Sequence, residues 1–98
     1  MVDSAKDAEI EKQFKAAQDI IAKGGKDGPK LSNNEKLTFY ALFKQATVGK
    51  CNIKAPGRLE VVARAKYDAW NALGSMSQTE ARQKFLKEFL SKMPSAKL

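Results

Sequence analysis

Apolar residues return with helical spacing in four segments of this chain, and no segment reads as a strand. In the first, from about Asp3 to Lys23, Ile10, Phe14, Ala17 and Ile21 fall at i, i+4, i+7 and i+11, which is one face of a helix. Its early acids suit the positive end of the helix dipole. Gly24-Gly25 stops it, and the glycine and proline of the following KDGPKL predict a loop. Ser32-Asn33-Asn34-Glu35 has the order of a capping box and opens a second helix. That helix is expected to run to about Val48, with Gly49 as its C-terminal stop. Residues 50–59, KCNIKAPGRL, make the longest connection, and Pro56-Gly57 marks a turn in it. A third helix covers about Glu60 to Leu73, with Val62, Ala65, Ala69 and Leu73 on one face and Tyr67 and Trp70 flanking it. Gly74 ends it. Ser77-Gln78-Thr79-Glu80 repeats the capping-box order ahead of a fourth helix. There Ala81, Phe85, Phe89 and Met93 form the stripe, Leu86 and Leu90 widen it, and Pro94 closes it.

Four helices of this size predict an all-α fold, a small four-helix bundle. Ninety-eight residues leave no room for a second core. The expected organisation is therefore one domain over residues 1–98, with 94–98 as a tail outside the bundle. The long connection between the second and third helices allows a crossover rather than a simple hairpin.

The second helix carries more apolar surface than its own core needs. In FYALFKQATVG, Phe39 to Gly49, five apolar residues precede Lys44, and one face of a soluble helix cannot bury them all. Some must point at something other than the protein's interior. Tyr40 and Lys44 are four apart and share a face. An aromatic plate one turn from a cation suits a ligand with a flat ring and a phosphate. The third helix repeats the arrangement in Lys66-Tyr67-Asp68-Ala69-Trp70, although Trp70 reads as core. Lys66 and Lys44 converging on one site could hold a phosphate dianion through charge-assisted hydrogen bonds, with Tyr40 stacked on a purine.

Charge points the same way. The chain has a formal net charge of +7. Four of its acids (Asp3, Asp7, Glu9 and Glu11) lie in the first 11 residues against Lys6, so the other 87 residues carry 17 bases and 7 acids. That field favours anionic partners; the alternative is a solvated lysine-rich surface.

Much chemistry is missing. There is no histidine, which removes the commonest general base and metal ligand. Cys51 is the single cysteine; it has no histidine to activate it and no partner for an internal disulfide. GGKDGP lacks the order of a phosphate loop. The helical acids sit among lysines, as solvated ion pairs do. No apolar run approaches the roughly 18 residues of a membrane span, and MVDSAKDAEIEK lacks the apolar core of a secretory signal. These absences disfavour an enzyme and favour a binding or carrying protein.

YALFKQATVG, then Pro56-Gly57, then AKYDAWNAL, in that order and spacing, resemble the signature of the acyl-CoA-binding protein family. The resemblance extends from about Phe14 to Phe89. It implies an up-down-down-up four-helix bundle that carries fatty acyl-CoA esters without catalysis and without a cofactor. It further implies that Tyr40 stacks on adenine while Lys44 and Lys66 serve the 3′-phosphate of coenzyme A. Phe43 and Phe85 stand where the family commonly has tyrosine, keeping the ring and losing the hydroxyl. Near Ala22 the family often has a lysine, and Lys23 is the nearest cation here, about 100° around the helix.

The physics of such a ligand is consistent with these residues. Burying each methylene is worth up to about 0.8 kcal/mol, so a 16-carbon chain offers roughly 10 kcal/mol before ordering costs. Leu37 and Phe43 could supply part of an apolar groove. The expected function is therefore high-affinity binding of medium- to long-chain acyl-CoA, as an intracellular carrier and pool former. The expected partners are long-chain acyl-CoA and the enzymes that use it, with no nucleic acid, no stable membrane insertion and a monomeric state. The alternative is a basic helical interaction domain for a protein partner or nucleic acid, although lysines scattered over all four helices argue against a nucleic-acid recognition helix. Cytoplasmic location is expected. The C-terminal Ala96-Lys97-Leu98 is close to the S-K-L address and raises a peroxisome-like organelle as a second destination.

Overall fold

The computed structural model describes residues 4–23 and 30–93, with side chains placed from Ala8 to Ala22 in the first of these. Gly24-Gly25, most of KDGPKL, Pro94 and the C-terminal tripeptide lie outside the described residues. The described residues form four helices: α1 (Ser4–Lys23), α2 (Asn33–Thr47), α3 (Val61–Asn71) and α4 (Gln78–Lys92).

Local chemistry sets their ends. The Ser32 hydroxyl accepts the Glu35 N–H at 3.1 Å, and the Glu35 carboxylate accepts the Ser32 N–H at 2.9 Å, so the capping box of α2 is complete. The one on α4 is only half made. Ser77 accepts from the Glu80 N–H at 3.1 Å, but the Glu80 carboxylate faces Lys84 one turn on, at 4.0 Å. Gly49 ends α2 with φ +101, a backbone conformation that L side chains rarely adopt. The third helix is shorter than its apolar pattern suggests. Ala72 caps it, and Leu73 lies in the turn that Gly74 continues.

Hydrogen bonds at the helix ends fix the topology. Trp70 donates its indole N–H to the Gly49 carbonyl at 2.9 Å. The amide of Gln45, fully buried, donates to the carbonyls of Gly74 at 3.1 Å and Met76 at 2.7 Å. The C-terminal end of α3 therefore sits beside the C-terminal end of α2, and the two helices are parallel. At one end of α4, Gln78 donates to the Thr47 carbonyl; at the other, Lys92 pairs with Glu35. That makes α4 antiparallel to α2. Phe14 of α1 lies near Ala46, and Ile21 and Ala22 near Leu31 and Lys36, so α1 is also antiparallel to α2. The result is an up-down-down-up bundle. The parallel α2–α3 pair needs a crossover. Its 13 residues, 48–60, can span about 43 Å fully extended, ample to return along an α2 about 22 Å long.

One core joins α1, α2 and α4, built on Ile10, Phe14, Ala17, Phe39, Leu42, Ala46, Ala81, Phe85, Leu86 and Phe89. Phe85 sits edge-on to both Phe14 and Phe39, with ring centroids 4.9 and 5.1 Å apart. The first-helix stripe is thus core, with Ile21 half-buried at its end. Two expectations for apolar faces do not hold. Trp70 alone is buried on α3, while Val62 is 68% exposed, because α3 packs on α2 with its C-terminal half and leaves its first turn outside. Leu90 is likewise exposed rather than widening the α4 stripe.

The Glu35–Lys92 pair ties α4 to the start of α2. The Lys92 ammonium, and next the Ser32 backbone N–H, lower the Glu35 pKa from 4.5 to about 2. A lowered carboxylate pKa adds stability that is full above 4.5 and is lost as pH falls from 4.5 through about 2. Glu35→Gln keeps the cap and removes the charge. In urea titrations its deficit against the parent chain should be constant above that window and shrink within it; a deficit independent of pH would show that the ion pair adds nothing.

Candidate functional site

Three of the sequence-predicted residues come together on the outer side of the α2–α3 pair. The Lys66 ammonium lies 5.4 Å from the centroid of the Tyr40 ring. The Lys44 ammonium lies 6.0 Å from the same ring and 5.8 Å from that of Trp70. These are cation–π distances. The i,i+4 spacing on α2 places Lys44, and the crossover places Lys66, one helix away. Among the described residues neither ammonium has a carboxylate partner. Two uncompensated cations beside a half-buried aromatic ring form a seat for an anion attached to a flat group.

Tyr40 also belongs to an apolar groove of 380 Å³ between α1, α2 and α4. Its walls are Ile21 and Ala22 from α1, Leu31 ahead of α2, and Phe39 and Phe43 from α2, with Phe85 of α4 as floor. Phe43 is half-buried and its ring lies 6.4 Å from that of Phe14. Neither Phe43 nor Phe85 brings a polar atom, so these two rings offer shape and apolar surface alone. A depression of 460 Å³ on the opposite side of α2 has Lys84, Lys87 and Glu88 along its edge and no aromatic lining.

The other two sequence-predicted residues stand apart. Leu37 is half-buried on α2 but is not part of the groove wall. On the helical wheel it falls within about 20° of Lys44, seven residues or almost two full turns away. Lys23 is the last residue of α1, and its side chain lies outside the described residues. Six groove residues were not anticipated as ligand contacts: Gln18, Ile21, Ala22, Leu31, Lys36 and Phe39. Lys36 precedes Tyr40 by the same four residues by which Lys44 follows it, a spacing that could have flagged it. Among the described residues no cluster of His, Cys, Asp or Glu could hold a metal ion.

Known proteins resemble this chain in sequence and in fold. The sequence profile of the family described as Acyl CoA binding protein matches residues 11–89. The chain is 44% identical over 79 residues to acyl-CoA-binding protein homolog 3 of Caenorhabditis elegans, covering 80% of this chain and 68% of that protein. It is 42% identical over 81 residues to human acyl-CoA-binding domain-containing protein 4, covering 82% of this chain but spanning only 30% of that longer protein. Among solved structures, that of ACBP from Moniliophthora perniciosa superimposes with a TM-score of 0.80 at 38% identity, covering 90% of this chain and 84% of the other. The profile takes in all of α2 and α3 and therefore both parts of the cationic seat: the chain belongs to the acyl-CoA-binding protein family.

Proposed function

We propose that this chain binds medium- to long-chain fatty acyl-CoA esters and serves as a non-catalytic carrier and pool for them. The observation that carries this reading is the convergence of Lys44 and Lys66 on the Tyr40 ring at the mouth of an apolar groove. In this reading the adenine stacks on Tyr40, and the two ammonium groups take the 3′-phosphate through charge-assisted hydrogen bonds. The aliphatic part of the ligand leaves water against the apolar side chains of the groove, Phe43 and Phe85 among them. Net positive charge steers the polyanion toward the seat. Enzymes that use acyl-CoA would receive the ligand.

Neither half of the site suffices alone, because the nucleotide supplies charge and the acyl chain supplies apolar area. Titration calorimetry should therefore separate the intact ester from its parts. Palmitoyl-CoA is expected to bind tightly, free coenzyme A and free palmitate far more weakly. Equal binding of the three, or binding of none, would sink the proposal.

A further inference from the structure

We propose that the surface from Ile53 to Val62, at the entry to α3, docks on the anionic face of a lipid bilayer. The observation is a concentration of apolar side chains in water where the fold has no use for them. Of the six exposed large hydrophobic residues among those described, four (Ile53, Leu59, Val61 and Val62) fall between residues 53 and 62. Leu59 is 97% exposed and Val61 71%. A leucine that touches almost none of its own protein gains nothing from folding, and such residues clustered together mark an interaction surface.

The display is held in place. The Glu60 N–H donates to the Gly57 carbonyl at 3.0 Å, closing a turn with Leu59 at its tip. The Glu60 carboxylate accepts the Gly57 N–H at 3.1 Å, and the Arg64 guanidinium donates to the Pro56 carbonyl at 3.2 Å. Turn and helix entry are thus braced with their apolar side chains facing out.

Charge selects the partner. Lys54 and Arg58 lie within this stretch and Arg64 and Lys66 just after it, Arg64 paired with Asp68, and Glu60 is its one acid. That carboxylate is engaged by the turn. Among the described residues Lys54 and Arg58 are in no ion pair. Apolar tips ringed by uncompensated cations suit a surface that is negative outside and hydrocarbon just beneath, which is an anionic membrane interface. A second copy of the chain would bring the same cations face to face and be repelled. Among the described residues no helix is long and apolar enough to cross a membrane, so the contact is at the surface. Val62 precedes Lys66 by one turn of α3, which places the docking face beside the Tyr40 seat.

The test is co-sedimentation of the ligand-free chain with vesicles of phosphatidylcholine, alone or mixed with phosphatidylserine. The chain should pellet only with the mixed vesicles. Leu59→Ser with Val61→Ser should weaken that binding at least about tenfold, and so should Lys54→Ser with Arg58→Ser. All four positions are exposed, so circular dichroism and thermal unfolding should stay unchanged. Failure to pellet with the mixed vesicles would overturn the proposal. So would full binding by the Leu59/Val61 variant, which would leave only diffuse charge attraction. A dimer in solution that this variant dissolves would assign the face to a second copy instead.

Discussion

Replacing Phe85 with alanine should lower the unfolding free energy by about 3 to 5 kcal/mol. The side chain is 2% exposed and meets Phe14 and Phe39 edge-on, at 4.9 and 5.1 Å between centroids. Truncation removes its transfer free energy, leaves a cavity in a close-packed core and breaks two aromatic pairs, each worth about 0.5 to 1.5 kcal/mol. A small domain has only about 5 to 15 kcal/mol in total, so the variant should unfold at much lower urea with an unchanged slope. Phe85→Leu keeps most of the volume and should cost considerably less. A loss below about 1 kcal/mol for alanine would mean that α1, α2 and α4 do not share this aromatic junction. The same ring floors the groove, so the alanine variant that remains folded should also bind acyl-CoA less well.

The second large effect concerns affinity. Lys44→Ala and Lys66→Ala should each weaken palmitoyl-CoA binding by about 1.5 to 3 kcal/mol, the range for a hydrogen bond to a charged group. That corresponds to roughly ten- to somewhat over a hundredfold in Kd. Stability should hardly change, since neither ammonium is in an ion pair among the described residues. If both lysines serve one phosphate, the double variant should lose less than the sum of the two, because the groups share a partner. An ester of coenzyme A lacking the 3′-phosphate should be nearly indifferent to either change. Additive losses, undiminished with that ligand, would remove the phosphate role from this pair.

Much of the fold was legible because helices are local. The spacing of Ile10, Phe14, Ala17 and Ile21 needs only the chain's own period, and Ser32 with Glu35 needs only four consecutive residues to close its box. The same chemistry failed at Ser77 for a local reason as well: Lys84 offered Glu80 a competing charge at i+4. The Tyr40–Lys44 pair was legible too, since a helix brings i and i+4 together whatever surrounds it.

Other features were not legible, because burial depends on what lies opposite. An apolar stripe shows that a helix can bury a face, not that a neighbour has surface left to cover it. On α3 the stripe is as regular as elsewhere, yet α2 meets only its Trp70 end, so Val61 and Val62 remain in water. Leu37 and Lys36 are adjacent in sequence, and the packing of α1 and α4 on α2 decides that the face with Tyr40 and Lys36, not the one with Leu37, borders the groove.

The sequence by itself determined four helices, the complete cap of α2 and one aromatic–lysine pair, all products of contacts within a few residues. The tertiary structure decided that Lys66, 26 residues from Tyr40 in the chain, lies 5.4 Å from its ring. It did so because the 48–60 crossover runs α3 parallel to α2, and hydrogen bonds from Gln45 and Trp70 lock the two helix ends in register. No periodicity encodes that register; it follows from buried polar groups that must find partners across the fold.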